Sequence, residues 1–576
     1  MSDAGTQYFL ELTPDSPLLV GGWSQDATAD GVTAHRQDQH QRADCFVTGS
    51  ALRGAMRIAF EQVLRGAGQT ACAPTARPGA GASCTCRVCS LFGNVGQEGL
   101  LQVGPAFRDQ GRQGGRLQLH LRHGVAIDRH TGSAADQRLF QHRVAAPVGE
   151  VVLRAAISFS RPPKPAEIDD LRLAASLVEG LGSGAARGLG HVRLELREER
   201  MPASACAGSV PDKATGLAVI LEAVTPFHVG TGRSRPFFLP SLSHVPGSAL
   251  RGAVGTSLAA LGLEHEPGFR MLCGLDGHRG ASFGDATPWM NGRPAIRPRS
   301  LLRCRNSRCD ATSGSQLARA LAAIELGSAT ASEVFAKPSR CEKCGERTQP
   351  VDAFDAPARR LWTRVALDRH TASAADQQLH AMEVVEAGAE PLLLRAEVHG
   401  LDTQSLAILK RLQGRHVAVG HGRGVGLGRM RLCLKPIRAT GEALLRWQML
   451  QQSVARQRPG HREPAQNWVV LLATGPWTRD CGGEHPLHDR AGHELVRCYP
   501  VRGVVSGFDL QAGRERMRRH AWLPGTVFVY RCAAPPSAES LQRLQEQGAL
   551  GCGPGAVRGE GRFEVNPEVC WNWKES

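Results

Sequence analysis

At 576 residues the chain is too long for one ordinary hydrophobic core and long enough for three or four domains. An apolar share of 42% beside 21% charged residues is that of a globular protein, and 66 glycines and 34 prolines spread along the chain imply turns rather than a disordered tract. The net charge of +15, from 69 Lys and Arg against 54 Asp and Glu, points to a polyanionic partner. Because arginine supplies most of that charge, planar bidentate phosphate contacts and stacking on bases are expected. Three tyrosines and an aromatic share of 5% argue against rows of aromatic base platforms. There is no apolar run long enough to span a bilayer, and Met1–Val20 lacks the basic stretch and apolar run of a secretory signal. A cytoplasmic protein with no membrane partner is expected. In that setting the 17 cysteines read as thiols and metal ligands rather than disulfides.

In chain order, Tyr8–Val20 reads as extended, followed by the polar loop GGWSQDATADGVTAHRQDQHQRAD. Gly49–Arg65 has Leu52, Met56, Ala59, Phe60, Val63 and Leu64 at helical spacing. Val125–Phe140 (VAIDRHTGSAADQRLF) comes next, then a second helix over Ala166–Glu179, a glycine-rich loop from Gly180 and a strand over His191–Leu196. The same order returns with a strand over Leu217–Ala223, a helix over Gly247–Leu261, the block Val365–His380 (VALDRHTASAADQQLH), a helix over Gln404–Leu412 and a loop from Gly420. A weaker third copy in Asn467–Glu564 ends in Trp522–Tyr530, Ser537–Gln547 and a loop from Gly551. Linkers are expected near Glu198–Thr215 and Pro436–Glu463. Strand, helix, strands, helix, strand is the ferredoxin-like plan of many RNA-binding domains. The expected class is α+β: tandem ferredoxin-like (RRM-like) domains with zinc-knuckle insertions, bounded at 1–205, 206–438 and a degenerate third at 439–576.

Several residues carry chemistry in this pattern. Ser50 and Ser248 begin the two GSALRG helices with Arg53 and Arg251 one turn in, an arrangement suited to phosphate and equally to ordinary capping. The glycine loops each carry an arginine, Arg187, Arg423 and Arg558, and are expected to cradle RNA backbone. Cys304, Cys309, Cys341 and Cys344 have the spacing of a structural zinc site. Cys84, Cys86 and Cys89, with Cys72 upstream, form a less regular set, while Cys481, Cys498, Cys532, Cys552 and Cys570 read as packing residues. Asp26, Asp30, Asp38 and Asp44 lie in the first acidic loop, beside His35 and His40, where a carboxylate can hold a divalent metal or orient a 2′-OH; solvation is the bland reading of any one of them. The corresponding second loop, VGTGRSRPFFLPSLSHV, has no acidic residue.

GSALRG, CRVCSLFG, DRHTGSAADQRLF and GSGAARGLGHVRL together resemble the RAMP superfamily of type III CRISPR effector complexes. Roughly 1–205 looks like the backbone subunit that lines the guide RNA. Roughly 215–576 looks like the RAMP protein of the III-D subtype, related to the subunit that caps the guide's 5′ handle. The resemblance implies a fused subunit that binds guide RNA (crRNA) and a complementary target RNA. It would assemble with a polymerase-like large subunit and with further backbone and small subunits. It also implies target cleavage with a divalent metal, magnesium or manganese, by an aspartate shortly before the first GSALRG helix. Asp38 lies nearest the expected distance, with Asp30 and Asp26 farther out. The DRHT blocks, Asp128, Arg129, His130 and Thr131 and their counterparts Arg369, His370 and Thr371 after Asp368, are expected to share a way of contacting RNA. One departure is Thr48 where the family has a proline, which Pro246 keeps in the second copy. The competing readings are a non-catalytic scaffold of the same complex and a free-standing zinc-dependent hydrolase.

Overall fold

The computed structural model describes residues 6–21, 29, 31–37, 43–71, 84, 86–94, 98–109, 114–200, 210, 213–231, 237–276, 278–289, 296–306, 308–309, 312–313, 316–327, 340–341, 343–353, 356–367, 374–387, 391–437, 443–458, 460, 466–488, 490–509 and 514–571. Helices and antiparallel sheets are mixed throughout, so the chain is of the α+β class.

In the first module β1 (Thr6–Pro14) turns Leu10 and Leu12 into the core. α1 (Gly49–Gly66) begins where the Thr48 side chain accepts a hydrogen bond from the Ala51 N–H, and it buries Leu52, Met56 and Phe60 completely. Each such side chain contributes about 1.5–3 kcal/mol. After the short helix α2 (Arg87–Phe92), β2 (Leu101–Arg108) is followed by a long hairpin, β3 (Arg116–Ile127) and β4 (Ala134–Val148). β5 (Leu153–Phe159), α3 (Pro165–Ser176) and β6 (Val192–Arg200) complete the module. The sheet runs β2-β5-β1-β6, so its second, third, first and fourth strands lie side by side, with α1 and α3 contributing to one core.

The second module repeats this order. β7 (Gly216–Ala223), α4 (Gly247–Ala259), α5 (Pro267–Cys273) and β8 (Ser282–Phe283) come first. The hairpin β9 (Arg359–Leu367) and β10 (Ala374–Val385) follows, then β11 (Leu393–His399), α6 (Thr403–Lys410), β12 (His416–Ala418) and β13 (Arg429–Pro436). Its six-stranded sheet runs β8-β11-β7-β13-β12, the same order with β12 added at the edge, and Thr287–Pro288 also pairs with β11.

The segment expected to be a linker contains α7 (Ala443–Ala455), which buries Arg446, Leu450, Gln451 and Val454. Gln451 bonds the Trp468 backbone and Arg446 reaches Gln545 and Glu564, so two polar residues interrupt an otherwise apolar inner face. Those two buried polar positions blur the apolar period of the helix.

The third sheet, β15-β16-β14-β17, is built from β14 (Asn467–Ala473), β15 (His493–Tyr499), β16 (Val527–Cys532), α8 (Ala538–Leu550) and β17 (Phe563–Val565). A 3₁₀ turn at Arg479–Cys481 stands where the first two modules have α1 and α4. The expected stretch Trp522–Tyr530 is two strands, because Pro524 and Gly525 (φ +93°) break it between Arg519–Trp522 and Val527–Cys532. Cys481, Cys532, Cys552 and Cys570 are buried packing residues, and Cys498 lies against the same core.

Two of the glycine loops join the modules. A Cβ on Gly49, at the start of α1, would stand 2.6 Å from the Val425 carbonyl of the second loop, and one on Gly247, at the start of α4, would stand 2.7 Å from the Arg558 carbonyl of the third. Likewise Gly426 backs onto Gly104 and Gly559 onto Gly284. Each loop therefore docks on the helix start and second strand of the module before it, an approach only glycine permits.

Candidate nucleic-acid interface and metal centre

Two long hairpins stand out, one in each of the first two modules. β3 and β4 pair from Arg116↔Val148 to Ile127↔Ala134, and β9 and β10 from Arg359↔Val385 to Leu367↔Ala374, each with an irregularity just before the tip. The DRHT block of the first module is the tip itself. The Asp128 carboxylate accepts hydrogen bonds from the backbone N–H groups of His130 (2.7 Å) and Thr131 (3.0 Å), which hold its pKa below the usual carboxylate value. Arg129, His130 and Thr131 point to solvent, and Leu121, Val125, Ile127 and Leu139 are 46%, 43%, 56% and 66% exposed. An arm with this many bare apolar side chains toward its tip calls for a partner. Asp368, Arg369, His370 and Thr371 lie outside the described residues, between β9 and β10.

Each hairpin is anchored by the glycine loop of its own module. Leu189 packs with Leu19 and Val144 at the first base, and Leu427 with Trp362, Met382 and Val384 at the second. Arg187, on the exposed turn Ala185–Arg187, lies 5.8 Å from the Phe140 ring centroid, within cation–π range. The other two loop arginines are held differently. Arg423 donates to Glu98 of the first module (3.2 Å), and Arg558 lies 3.6 Å from Glu560 within its own loop.

At the helix starts, Thr48 is the cap of α1, while Ser50 is an exposed residue inside it. α4 starts at Pro246 with no side-chain cap from Ser248; instead the Gly247 N–H donates to the buried Asp285 carboxylate at 2.8 Å. Arg53 donates to the Phe92 carbonyl (2.5 Å) and Arg251 to the Cys273 carbonyl. Phe92 and Cys273 are the last residues of α2 and α5, so the repeated arginine ties each GSALRG helix to the short helix beside it.

The Sγ atoms of Cys304, Cys309, Cys341 and Cys344 lie within 4.8 Å of one another, 3.3 Å for Cys304 and Cys344 and 3.7 Å for Cys309 and Cys341. Backbone N–H groups of Cys344 and Lys343 point at Cys341 and draw its thiol down to about 7. This cluster can hold a metal ion such as zinc. Cys84, Cys86 and Cys89 form a three-thiol cluster at the start of α2, where Cys86 is the cap. Their proposed fourth ligand, Cys72, lies outside the described residues.

Asp26, Asp30 and Asp38 also lie outside the described residues. The frame around them is ordered: His35–Gln37 pairs with Ala43–Cys45, and Arg360 of β9 donates to the His35 carbonyl at 3.1 Å. The base of the second hairpin thus touches the acidic loop of the first module. Sequence reading missed this contact and both loop dockings, since neither leaves a mark beyond isolated glycines and arginines.

A family model, described as RAMP superfamily, matches residues 11–193 and 220–431, more than half of the chain. No curated protein matches it. No described helix is long and apolar enough to cross a membrane. Proteins of the matched superfamily bind crRNA and work in multi-subunit CRISPR complexes, which points to a CRISPR-associated RNA-binding subunit.

Proposed function

Since the chain belongs to the RAMP superfamily, we propose that it is a cytoplasmic, fused subunit of a type III, III-D-like CRISPR effector, binding guide RNA and cleaving complementary target RNA from its first module. The observation that carries this reading is the repeated hairpin: two projecting arms with the same DRHT block, one set per module, on a chain of net charge +15. The strand order shared by the three sheets supports tandem ferredoxin-like domains at about 1–205, 206–438 and 439–576. RNA contacts are assigned to the tip residues Arg129, His130 and Thr131 with their counterparts Arg369, His370 and Thr371, and to Arg187. Ser50 and Ser248 add polar groups at the starts of α1 and α4. Arg53, Arg251, Arg423 and Arg558 shape the surface through their protein partners, and Asp128 through its turn.

Cys304, Cys309, Cys341 and Cys344 would hold a structural zinc, and Cys84, Cys86 and Cys89 a second. Four thiolates fill a tetrahedral shell and leave no open position, which weighs against a free-standing zinc hydrolase. Cleavage is assigned to the acidic loop, with magnesium or manganese as the divalent ion and Asp38 ahead of Asp30 and Asp26. The complex assembled with guide RNA and its partner subunits tests this. Replacing the responsible aspartate with Ala should lower target cutting by about 10²–10⁴-fold. Unchanged cutting at every site in the triple variant Asp26→Ala, Asp30→Ala, Asp38→Ala would leave the scaffold reading in its place.

A further inference from the structure

A cleft of about 1080 Å³ lies between the first and second modules, large enough for a nucleotide-sized ligand. The two module junctions supply an internal control for what it holds. At the second junction, Arg562 follows the last glycine of its loop and is buried against the preceding module. Its Nη1 donates to the Glu397 carbonyl at 2.7 Å and its Nη2 lies 3.8 Å from the Glu397 carboxylate.

At the first junction the same position, after Gly428, is Arg429, and the place of Glu397 is taken by Ala156. The match is exact in the strands, Leu394-Arg395-Ala396-Glu397 against Leu153-Arg154-Ala155-Ala156. It also holds in space: a Cβ on Gly284 would meet the Glu397 carbonyl at 3.1 Å, and one on Gly104 the Ala156 carbonyl at 3.0 Å.

Arg429 is therefore a buried guanidinium, 7% exposed, whose counterpart's carboxylate is missing. Its Nη2 contacts His416 Nδ1 at 3.1 Å, while Nε and Nη1 have no hydrogen-bond partner among the described residues. Burial lowers its pKa to about 10. Ala156, Arg415, His416, Arg423, Arg429 and Arg431 all line the cleft, and Glu98, already paired with Arg423, is the only carboxylate among its described lining residues. A buried charge without a counter-charge is costly, and an anion entering the cleft removes the cost.

We propose that this cleft binds a phosphate group, which takes at Arg429 the place that the Glu397 carboxylate takes at Arg562. The phosphate comes either from a free mononucleotide or from an RNA strand. The inference stands apart from target cleavage: a complex that fails to cut leaves it untouched.

The test is the melting temperature of the full-length protein with inorganic phosphate, AMP or a short single-stranded RNA, for wild type, Ala156→Glu and Arg429→Gln. Wild type should melt several degrees higher with at least one probe. Ala156→Glu, which rebuilds the second junction's ion pair, should melt at or above wild type without ligand and give no shift with it. Arg429→Gln should also lose the shift. Should that variant not fold, Ala156→Glu decides, because it adds the missing charge to a cavity with room for the side chain. A shift with phosphate or AMP identifies a free ligand; one with RNA alone identifies a strand. The proposal fails if no probe shifts wild type, if Ala156→Glu keeps the full shift, or if Ala156→Glu loses its fold.

Discussion

Asp128 puts a negative charge at the tip of an arm whose neighbours, Arg129 and His130, suit a polyanion. Its carboxylate is turned to the backbone N–H groups of His130 and Thr131, so its work is to shape the turn. Asn keeps an acceptor oxygen in that place and Ala does not. In a filter-binding titration, Asp128→Ala should therefore weaken guide-RNA binding by about 1 kcal/mol, roughly fivefold. Asp128→Asn should bind at least as tightly as wild type, and neither should change the melting temperature much. The sequence marked this block by repetition, but repetition is the same whether a residue touches RNA or holds a turn. For Arg53 and Arg251 it was less informative still, because their acceptors are main-chain carbonyls 39 and 22 residues away, which carry no residue-type signature.

Most elements were legible, because their apolar spacing is regular: α1 and β7 fall within a residue or so of the expected bounds. α7 was not, since it buries Arg446 and Gln451 on its packed face. The glycine loops were legible as loops and opaque as joints. Their three sequences look alike, yet Gly426 (φ +79°) would place a Cβ 2.9 Å from the Gly104 nitrogen, whereas Gly188 (φ +77°) has nothing within 4 Å. The backbone conformation is shared, so the neighbouring module makes the difference. Gly188→Ala should cost about 1–2 kcal/mol, the price of a left-handed alanine. Gly426→Ala should cost at least about 3 kcal/mol, because the first module must also move. Denaturant unfolding of the two variants separates these terms, and equal losses would mean that the junction yields freely.

Over the whole molecule, the charge of +15 predicts guide binding that weakens steeply with salt. The slope of log affinity against log salt should become about one unit shallower in Arg187→Ala, whose side chain is exposed, as expected for one lost phosphate contact. It should stay unchanged in Arg423→Ala, whose guanidinium already faces Glu98. Composition alone could not distinguish these two arginines, since what separates them is a module boundary crossed in space.

The joints also bear on stoichiometry. In the first module, the helix start that receives the second loop is filled by the chain's own continuation, and in the second module by the third. No free molecule can dock at either place while the chain is intact. A repeating array built through such contacts would be closed to growth from that side by covalent connection, whatever the protein concentration. Among the described residues a Cβ on Gly188 would meet nothing within 4 Å, so that turn of the first loop is left open to the other side.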